Sequence, residues 1–130
     1  MEFSKEDMME IMAVFKAESA ENLAVLTDKM KEIEKNPTNP AAIELLHRTS
    51  HSMKGAARML GLTPIEEIGR LLEDGFKAAK EGRPVLNANT IAIINEAVHS
   101  VGMLIEKLST EGTMDGIDIT AIQKKLEQFK

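Results

Sequence analysis

Residues 46–67 read LHRTSHSMKGAARMLGLTPIEE and contain the end of one predicted helix, a turn and the start of the next. Apolar residues before Gly61 recur at steps of three and four, which is the spacing of one face of an α-helix. Glycine commonly ends helices, and Thr63 and Glu66 have the spacing of a capping box that starts one. This stretch therefore predicts two consecutive helices joined by a short turn.

Helical spacing continues outward from this stretch towards both ends of the chain, and no segment has the strict alternation of a half-buried strand. Short connections between long amphipathic helices favour antiparallel neighbours. We therefore expect an all-α fold: an antiparallel up-down four-helix bundle with an additional short C-terminal helix. The predicted helices occupy about residues 5–35, 40–60, 64–81, 90–110 and 119–129.

Polar residues mark the starts of several of these helices. Ser4 precedes the first helix, Asn39 caps the second with Pro40 at its first position, and Asp118 can cap the last. The apolar stripes are expected to face a common core. They comprise Met8, Met12, Phe15, Leu23, Leu26, Met30, Ile33, Ile43, Leu46, Met53, Ala57, Leu60, Ile91, Ile94, Val98, Val101, Ile105, Leu108, Ile119, Ile122, Leu126 and Phe129.

The composition narrows the class of protein. A chain of 130 residues fits one domain, residues 1–130, with a substantial core. The formal net charge of −5 argues against nucleic acid as a main partner, because phosphate-backbone binding needs a dense Lys/Arg surface. Cysteine is absent, which excludes disulfides and thiolate metal ligands and favours a cytoplasmic protein. The acidic N-terminus and the lack of a segment of membrane-spanning length predict no membrane insertion.

A second stripe of the second predicted helix is polar. His47, His51, Lys54, Gly55 and Arg58 follow one another at steps of three and four, apart from the adjacent Lys-Gly pair, and are expected to share a solvent-facing side. Glycine costs about 1 kcal/mol relative to alanine in a helix interior, so Gly55 calls for a reason. A missing side chain one turn from His51 leaves room for a phosphoryl group or a docking partner, and Lys54 supplies positive charge beside it.

The letters H-S-M-K-G-A-A-R-M-L-G, residues 51–61, resemble the signature of histidine-containing phosphotransfer domains: His, two residues, Lys-Gly, then a Gly six positions later. With the acidic first helix and LLEDGF in the third, the likeness to the N-terminal phosphotransfer domain of the chemotaxis histidine kinase CheA covers nearly the whole chain. The resemblance implies that His51 accepts a phosphoryl group from a histidine kinase ATP-binding domain and passes it to an aspartate of a response-regulator receiver domain. It also implies that the chain belongs to a longer histidine kinase and that partner domains supply ATP and Mg²⁺, with no cofactor bound here.

In that family, a glutamate from the following helix hydrogen-bonds the phosphorylated histidine, and Glu73 stands at the matching position. Glu66, Arg70, Glu73 and Lys77 fall on one stripe of the third predicted helix, so Glu73 is expected to face His51. A carboxylate on one ring nitrogen fixes the tautomer and raises the nucleophilicity of the other. Arg70 is a departure, because relatives of the chemotaxis type can carry a second histidine there.

The predicted site therefore has His51, Lys54 and Glu73 in phosphotransfer and Gly55, Arg58, His47 and Arg70 as binding residues. Two alternatives use the same helix face. His47 and His51 at i and i+4 could bind a metal, although the neighbouring cationic side chains would repel one, and we expect none. A helical adaptor could dock a signalling partner there without being phosphorylated. No P-loop or other nucleotide-binding motif is present, so we expect no self-contained catalysis.

Overall fold

The computed structural model describes residues 4–130, and within that range the chain forms five α-helices. Four long helices pack together and the short fifth helix lies against the third and fourth, which confirms the predicted all-α fold. The helices are α1 (Lys5–Lys35), α2 (Pro40–Met59), α3 (Thr63–Lys80), α4 (Ala88–Glu111) and α5 (Thr120–Leu126). Ion pairs between Glu44 and Lys80 and between Arg58 and Glu66 join opposite ends of α2 and α3, so these two helices run antiparallel.

Three predicted caps are found at or next to helix starts. Ser4 Oγ accepts a backbone N–H at 3.0 Å at the start of α1, and Asn39 Oδ1 accepts one at 3.2 Å at the start of α2. Asp118 also accepts a backbone N–H, that of Thr120, at 2.9 Å. It does so from one residue further out than predicted, because Ile119 occupies the N-cap position of α5.

The predicted capping box at the start of α3 is wrong. Leu62, not Thr63, occupies the N-cap position, and no side chain among residues 4–130 caps this end of the helix. The Leu62 carbonyl accepts the N–H groups of Ile65 and Glu66 at 3.1 and 3.0 Å. Leu62 is buried, and packing its side chain into the core starts the helix one residue early. Thr63 therefore already lies in the first turn, where its hydroxyl cannot act as a cap.

The apolar stripes meet in one core, with one exception among the residues expected there. Met8 is 42% exposed, because the 31 residues of α1 extend past the 20 of α2 and leave its first turns uncovered. Six others are only partly buried against the core: Met12, Leu23, Leu60, Ile91, Leu108 and Ile119. The largest fully buried side chains are Phe76, Phe129, Leu26, Met30, Ile33, Leu46, Met53, Ile65, Ile68, Leu72, Ile94 and Leu104.

Helix α4 is longer and more apolar than the sequence analysis expected, since no segment was expected to reach the length that spans a membrane. Its 24 residues include a window with a mean hydropathy of 1.2, so by length and composition alone it could cross a membrane. The expectation that no segment reaches that length is therefore wrong. Half of that window is buried inside the bundle, including Ile94, Val101 and Leu104. In this fold α4 is a core helix.

The C-terminal residues anchor α5 to α3. The helix ends at Leu126, earlier than predicted, yet Phe129 beyond it is fully buried. Its ring meets that of Phe76 edge to face, with centroids 5.0 Å apart and planes at 80°. Phe129 also lies directly on Gly75, where a Cβ atom would overlap the ring. The close approach of the chain end to α3 thus depends on Gly75 having no side chain.

We predict that Phe129→Ala lowers the free energy of unfolding by about 3 kcal/mol, because it removes a buried aromatic ring and leaves a cavity beside Phe76. Urea denaturation followed by circular dichroism measures the change. Met59→Ala is the matched control, since Met59 is 88% exposed and its truncation should change stability by less than about 0.5 kcal/mol. Equal effects of the two substitutions would show that Phe129 does not hold the C-terminus in place.

Candidate functional site

The imidazole of His51 stands on the outer face of α2 and is bonded to a carboxylate from α3. Its side chain is 68% exposed, and Nδ1 lies 2.6 Å from Oε2 of Glu73. Glu73 itself is only 12% exposed. The predicted contact between His51 and Glu73 is therefore present, with an exposed ring held by a mostly buried partner.

The same carboxylate also binds Lys54. Nζ of Lys54 donates to Oε1 of Glu73 at 2.6 Å, and the lysine side chain is 25% exposed. Because each oxygen of Glu73 accepts from a different group, the two residues from α2 do not compete for it. Hydrogen bonds involving charged groups are shorter and stronger than neutral ones. The three side chains thus form one connected unit across the α2–α3 contact.

The electrostatics of Glu73 keep it ionised at neutral pH. Burial acts to raise the pKa of Glu73, but the hydrogen bonds from Lys54 and His51, together with their charges, outweigh it and hold the pKa below its ordinary value of 4.5. An ionised carboxylate can only accept hydrogen bonds, so Nδ1 of His51 must carry the proton.

This arrangement also determines which ring nitrogen of His51 is left free. A neutral imidazole with its proton on Nδ1 has its lone pair on Nε2. Among residues 4–130, the hydrogen bonds of the His51 ring involve Nδ1 alone. Nε2 is therefore left available on an exposed side chain, with the negative charge of Glu73 placed to stabilise positive charge that develops on the ring.

Gly55 leaves open surface one turn beyond His51. Apart from its chain neighbours and the backbone of its own helix, a Cβ atom built there would have no atom of residues 4–130 within 4 Å. Packing within the domain therefore does not require glycine at this position, although glycine weakens the helix by about 1 kcal/mol. What the glycine provides is bare helix backbone beside the imidazole and the Lys54 ammonium.

The structure places the other predicted binding residues at the edges of this unit. Arg58 is 77% exposed, with Nε 4.0 Å from Oε2 of Glu66. His47 is half-buried one turn before His51 on the same helix. Neither makes a hydrogen bond to the His51 ring. Both lie on the predicted face, flanking the site along α2.

Arg70 does not join the unit, although it shares α3 with Glu73. Its guanidinium lies 3.0 Å from Glu67 and 3.6 Å from Asp74, both on the same helix. The hydrogen bond from Arg70 to Glu67 and its charge also hold the pKa of Glu67 below the ordinary value. The prediction placed Arg70 near His51; within residues 4–130 its hydrogen-bond and ion-pair partners are these two carboxylates.

Sequence reasoning missed Gly69. This buried glycine of α3 lies against Lys54, and a Cβ atom on it would be 3.2 Å from Cα of Lys54. The available signal was its position one turn before Glu73, inside a helix where glycine is unfavourable.

We also searched the described residues for side chains that could bind a metal ion together. Over residues 4–130, no group of three or more His, Asp or Glu side chains is arranged to hold an ion.

Comparison with protein families and curated proteins gives consistent matches. The family model of the Hpt domain matches residues 10–129. The chain is 28% identical to chemotaxis protein CheA of Bacillus subtilis over 122 residues, which cover 93% of this chain and 18% of that protein. It is 31% identical to the gliding motility regulatory protein of Myxococcus xanthus over 103 residues, 79% of this chain and 13% of that protein. The chain thus spans less than a fifth of these relatives.

A solved structure shares the fold. It is the phosphorylated P1 domain of CheA3 in complex with CheY6 from R. sphaeroides, with a TM-score of 0.78, 21% identity and coverage of 92% of each chain.

We predict that Glu73 makes stability depend on pH in acid. Its pKa is lower in the folded than in the unfolded chain, so its stabilising contribution is present above the ordinary value of 4.5 and is lost as the pH falls through the folded value. The difference in unfolding free energy between wild type and Glu73→Gln should therefore shrink between about pH 5 and pH 2, as measured by urea denaturation across that range.

Glu18→Gln serves as the control for this measurement, because Glu18 is an exposed carboxylate on α1. It should leave the pH profile of wild type unchanged. A Glu73→Gln profile parallel to that of wild type would contradict the role of Glu73.

Proposed function

Because the chain belongs to the Hpt family of histidine-containing phosphotransfer domains, we propose that its His51 is the phosphoryl carrier. The ring accepts a phosphoryl group from the ATP-binding domain of a histidine kinase and passes it to an aspartate of a response-regulator receiver domain. The observation that carries this assignment is the 2.6 Å contact of Nδ1 with Glu73, which leaves Nε2 of an exposed ring as the nucleophile.

Neither transfer step needs a general base to remove a proton from the ring. The Nε2 lone pair attacks the γ-phosphorus of ATP, the bond to the β-phosphate oxygen breaks, and ADP leaves. The proton stays on Nδ1, so the phosphorylated ring is cationic and Glu73 stabilises it. In the second step an aspartate oxygen of the receiver attacks phosphorus, the N–P bond breaks, and the neutral imidazole returns.

Lys54 has two tasks in this proposal. Its bond to Oε1 of Glu73 fixes the carboxylate, and its positive charge lies one turn from His51, where it attracts the phosphoryl oxygens. Arg58 and His47 flank the same face and contribute to docking. Arg70 lies on the same helix as Glu73 but pairs with Glu67 and Asp74, so its proposed contribution is to partner choice rather than to the chemistry.

Partners supply the remaining chemistry. ATP and its Mg²⁺ come with the kinase domain, and the receiver brings its own aspartate and Mg²⁺, since phosphoryl transfer relies on metal ions and charge clamps of this kind. The solved relative in complex with CheY6 supports a receiver as the second partner. The curated CheA relatives support a place within a longer chemotaxis-type kinase in the cytoplasm.

We predict that His51→Gln abolishes phosphorylation, because the amide has no lone pair able to attack phosphorus. The assay incubates the domain with the ATP-binding domain of a chemotaxis histidine kinase and γ-labelled ATP. Wild type should gain an acid-labile, base-stable label, and His99→Gln, which alters an exposed histidine on α4, should be labelled equally. Labelling of His51→Gln at the wild-type level would disprove the assignment. An unlabelled wild type would favour a docking adaptor instead.

We also predict that Gly55→Leu slows phosphoryl transfer to the receiver without harming the fold. The open space at this position accepts a side chain, and leucine should raise stability by about 0.8 kcal/mol through helix propensity. The leucine would cover the bare backbone beside His51 and keep the receiver's aspartate from its best position. When receiver is added, the phosphorylated domain should therefore lose its label at least about tenfold more slowly, since small misplacements of reacting groups cost this much in rate. Ala92→Leu adds the same side chain to an exposed position on α4 and should transfer normally. Normal transfer by Gly55→Leu would contradict the role of Gly55.

A further inference from the structure

Gly69 lies where α3 packs closely against Lys54 of α2, the residue whose ammonium bonds Glu73. It is buried in the middle of α3 and faces the backbone of α2 at Lys54. A Cβ atom on Gly69 would be 3.2 Å from Cα and Cβ of Lys54 and 3.3 Å from its backbone nitrogen. These distances are shorter than ordinary van der Waals contact, and two of the three atoms belong to backbone that cannot rotate away.

Backbone conformation does not explain this glycine. The positive φ angles in the described chain belong to Gly61, Gly82, Gly112 and Gly116, whereas Gly69 has ordinary helical geometry. Alanine would favour the helix by about 1 kcal/mol at such a position. The remaining reason is steric: only a residue without a side chain lets α2 and α3 approach to this distance.

The close approach lies next to the connected unit of His51, Lys54 and Glu73. Glu73 is four residues after Gly69, one turn along the same face of α3. Lys54, whose backbone touches Gly69, also donates its ammonium to Glu73, and the carboxylate bonds His51 on the same helix. Both bonds are 2.6 Å long, so separating the helices here stretches both at once.

We propose that Gly69 is a positioning residue of phosphotransfer, which sets the spacing of α2 and α3 so that Glu73 reaches His51 and Lys54 together. This role rests on the proposed function of His51. Gly69 touches neither the imidazole nor the phosphoryl group and acts through the carboxylate alone. Gly55 and Gly102, the other glycines within α2 and α4, have no comparable neighbour, since a Cβ atom would meet nothing within 4 Å at the first and one atom at 4.0 Å at the second.

The test compares Gly69→Ala with Gly102→Ala. Both replace a glycine inside a helix by alanine, but only the first forces two helices apart by a few tenths of an ångström. Misplacement by 1 Å costs about a hundredfold in rate, so this shift should lower the maximal rate of His51 phosphorylation by about fourfold. The KM for the kinase domain should not change, because the exposed docking face is untouched. Gly102→Ala should match wild type in both quantities.

The ¹⁵N resonances of the His51 ring provide a readout that does not need phosphorylation. Wild type should show the tautomer with the proton on Nδ1, and Gly69→Ala should shift towards the Nε2–H form as the Glu73 bond lengthens. In a Glu73→Gln background the same alanine should leave the ring resonances unchanged, because the contact it disturbs has already been altered.

Each result decides the proposal. A wild-type rate and wild-type ring resonances in Gly69→Ala would overturn it, and so would an equal tautomer shift with and without Glu73→Gln. Loss of helical circular dichroism in Gly69→Ala would assign Gly69 to packing alone and also overturn the positioning role. If wild type is not labelled by the kinase, the proposed function fails, while the ring resonances still test the positioning.

Discussion

The shared carboxylate of Glu73 is the contact on which the site depends. It accepts from the imidazole of His51 with one oxygen and from the ammonium of Lys54 with the other, each at 2.6 Å. Because Glu73 is 12% exposed, solvent screens these bonds less than it would at the surface. One group thereby fixes the ring, determines which nitrogen carries the proton, and balances the lysine charge beside it.

The rest of the bundle serves to hold this contact in place. The turn before the buried Leu62 brings the chain back so that α3 runs antiparallel to α2. An ion pair between Glu44 and Lys80 at 2.6 Å joins the other ends of the two helices. The chain end supports α3 through the packing of Phe129 on Phe76. A site built on packed helices is more rigid than one on loops, which suits a group that must be held at hydrogen-bonding distance.

The side chains of the site differ in solvent exposure, and this separates an exposed part from a buried part. The His51 ring is 68% exposed, as a group must be if two different proteins are to reach it in turn, whereas its support is mostly buried. The open space at Gly55 belongs to the exposed part, and the close contact at Gly69 belongs to the buried part. Two helical glycines that look alike in the sequence thus have opposite surroundings. Arg70, although it shares α3 with Glu73, is paired with Glu67 and Asp74 instead of with this unit.

The sequence by itself determined the helices, the bundle and the face that carries His51, because helical periodicity and capping residues act locally and can be counted along the chain. It also pointed to Glu73, through a family resemblance and one stripe of α3. Only the tertiary structure decided how α3 begins at Leu62, where Arg70 is paired, and how closely Gly69 approaches Lys54. These depend on distances between helices, which side-chain packing sets and no local pattern encodes.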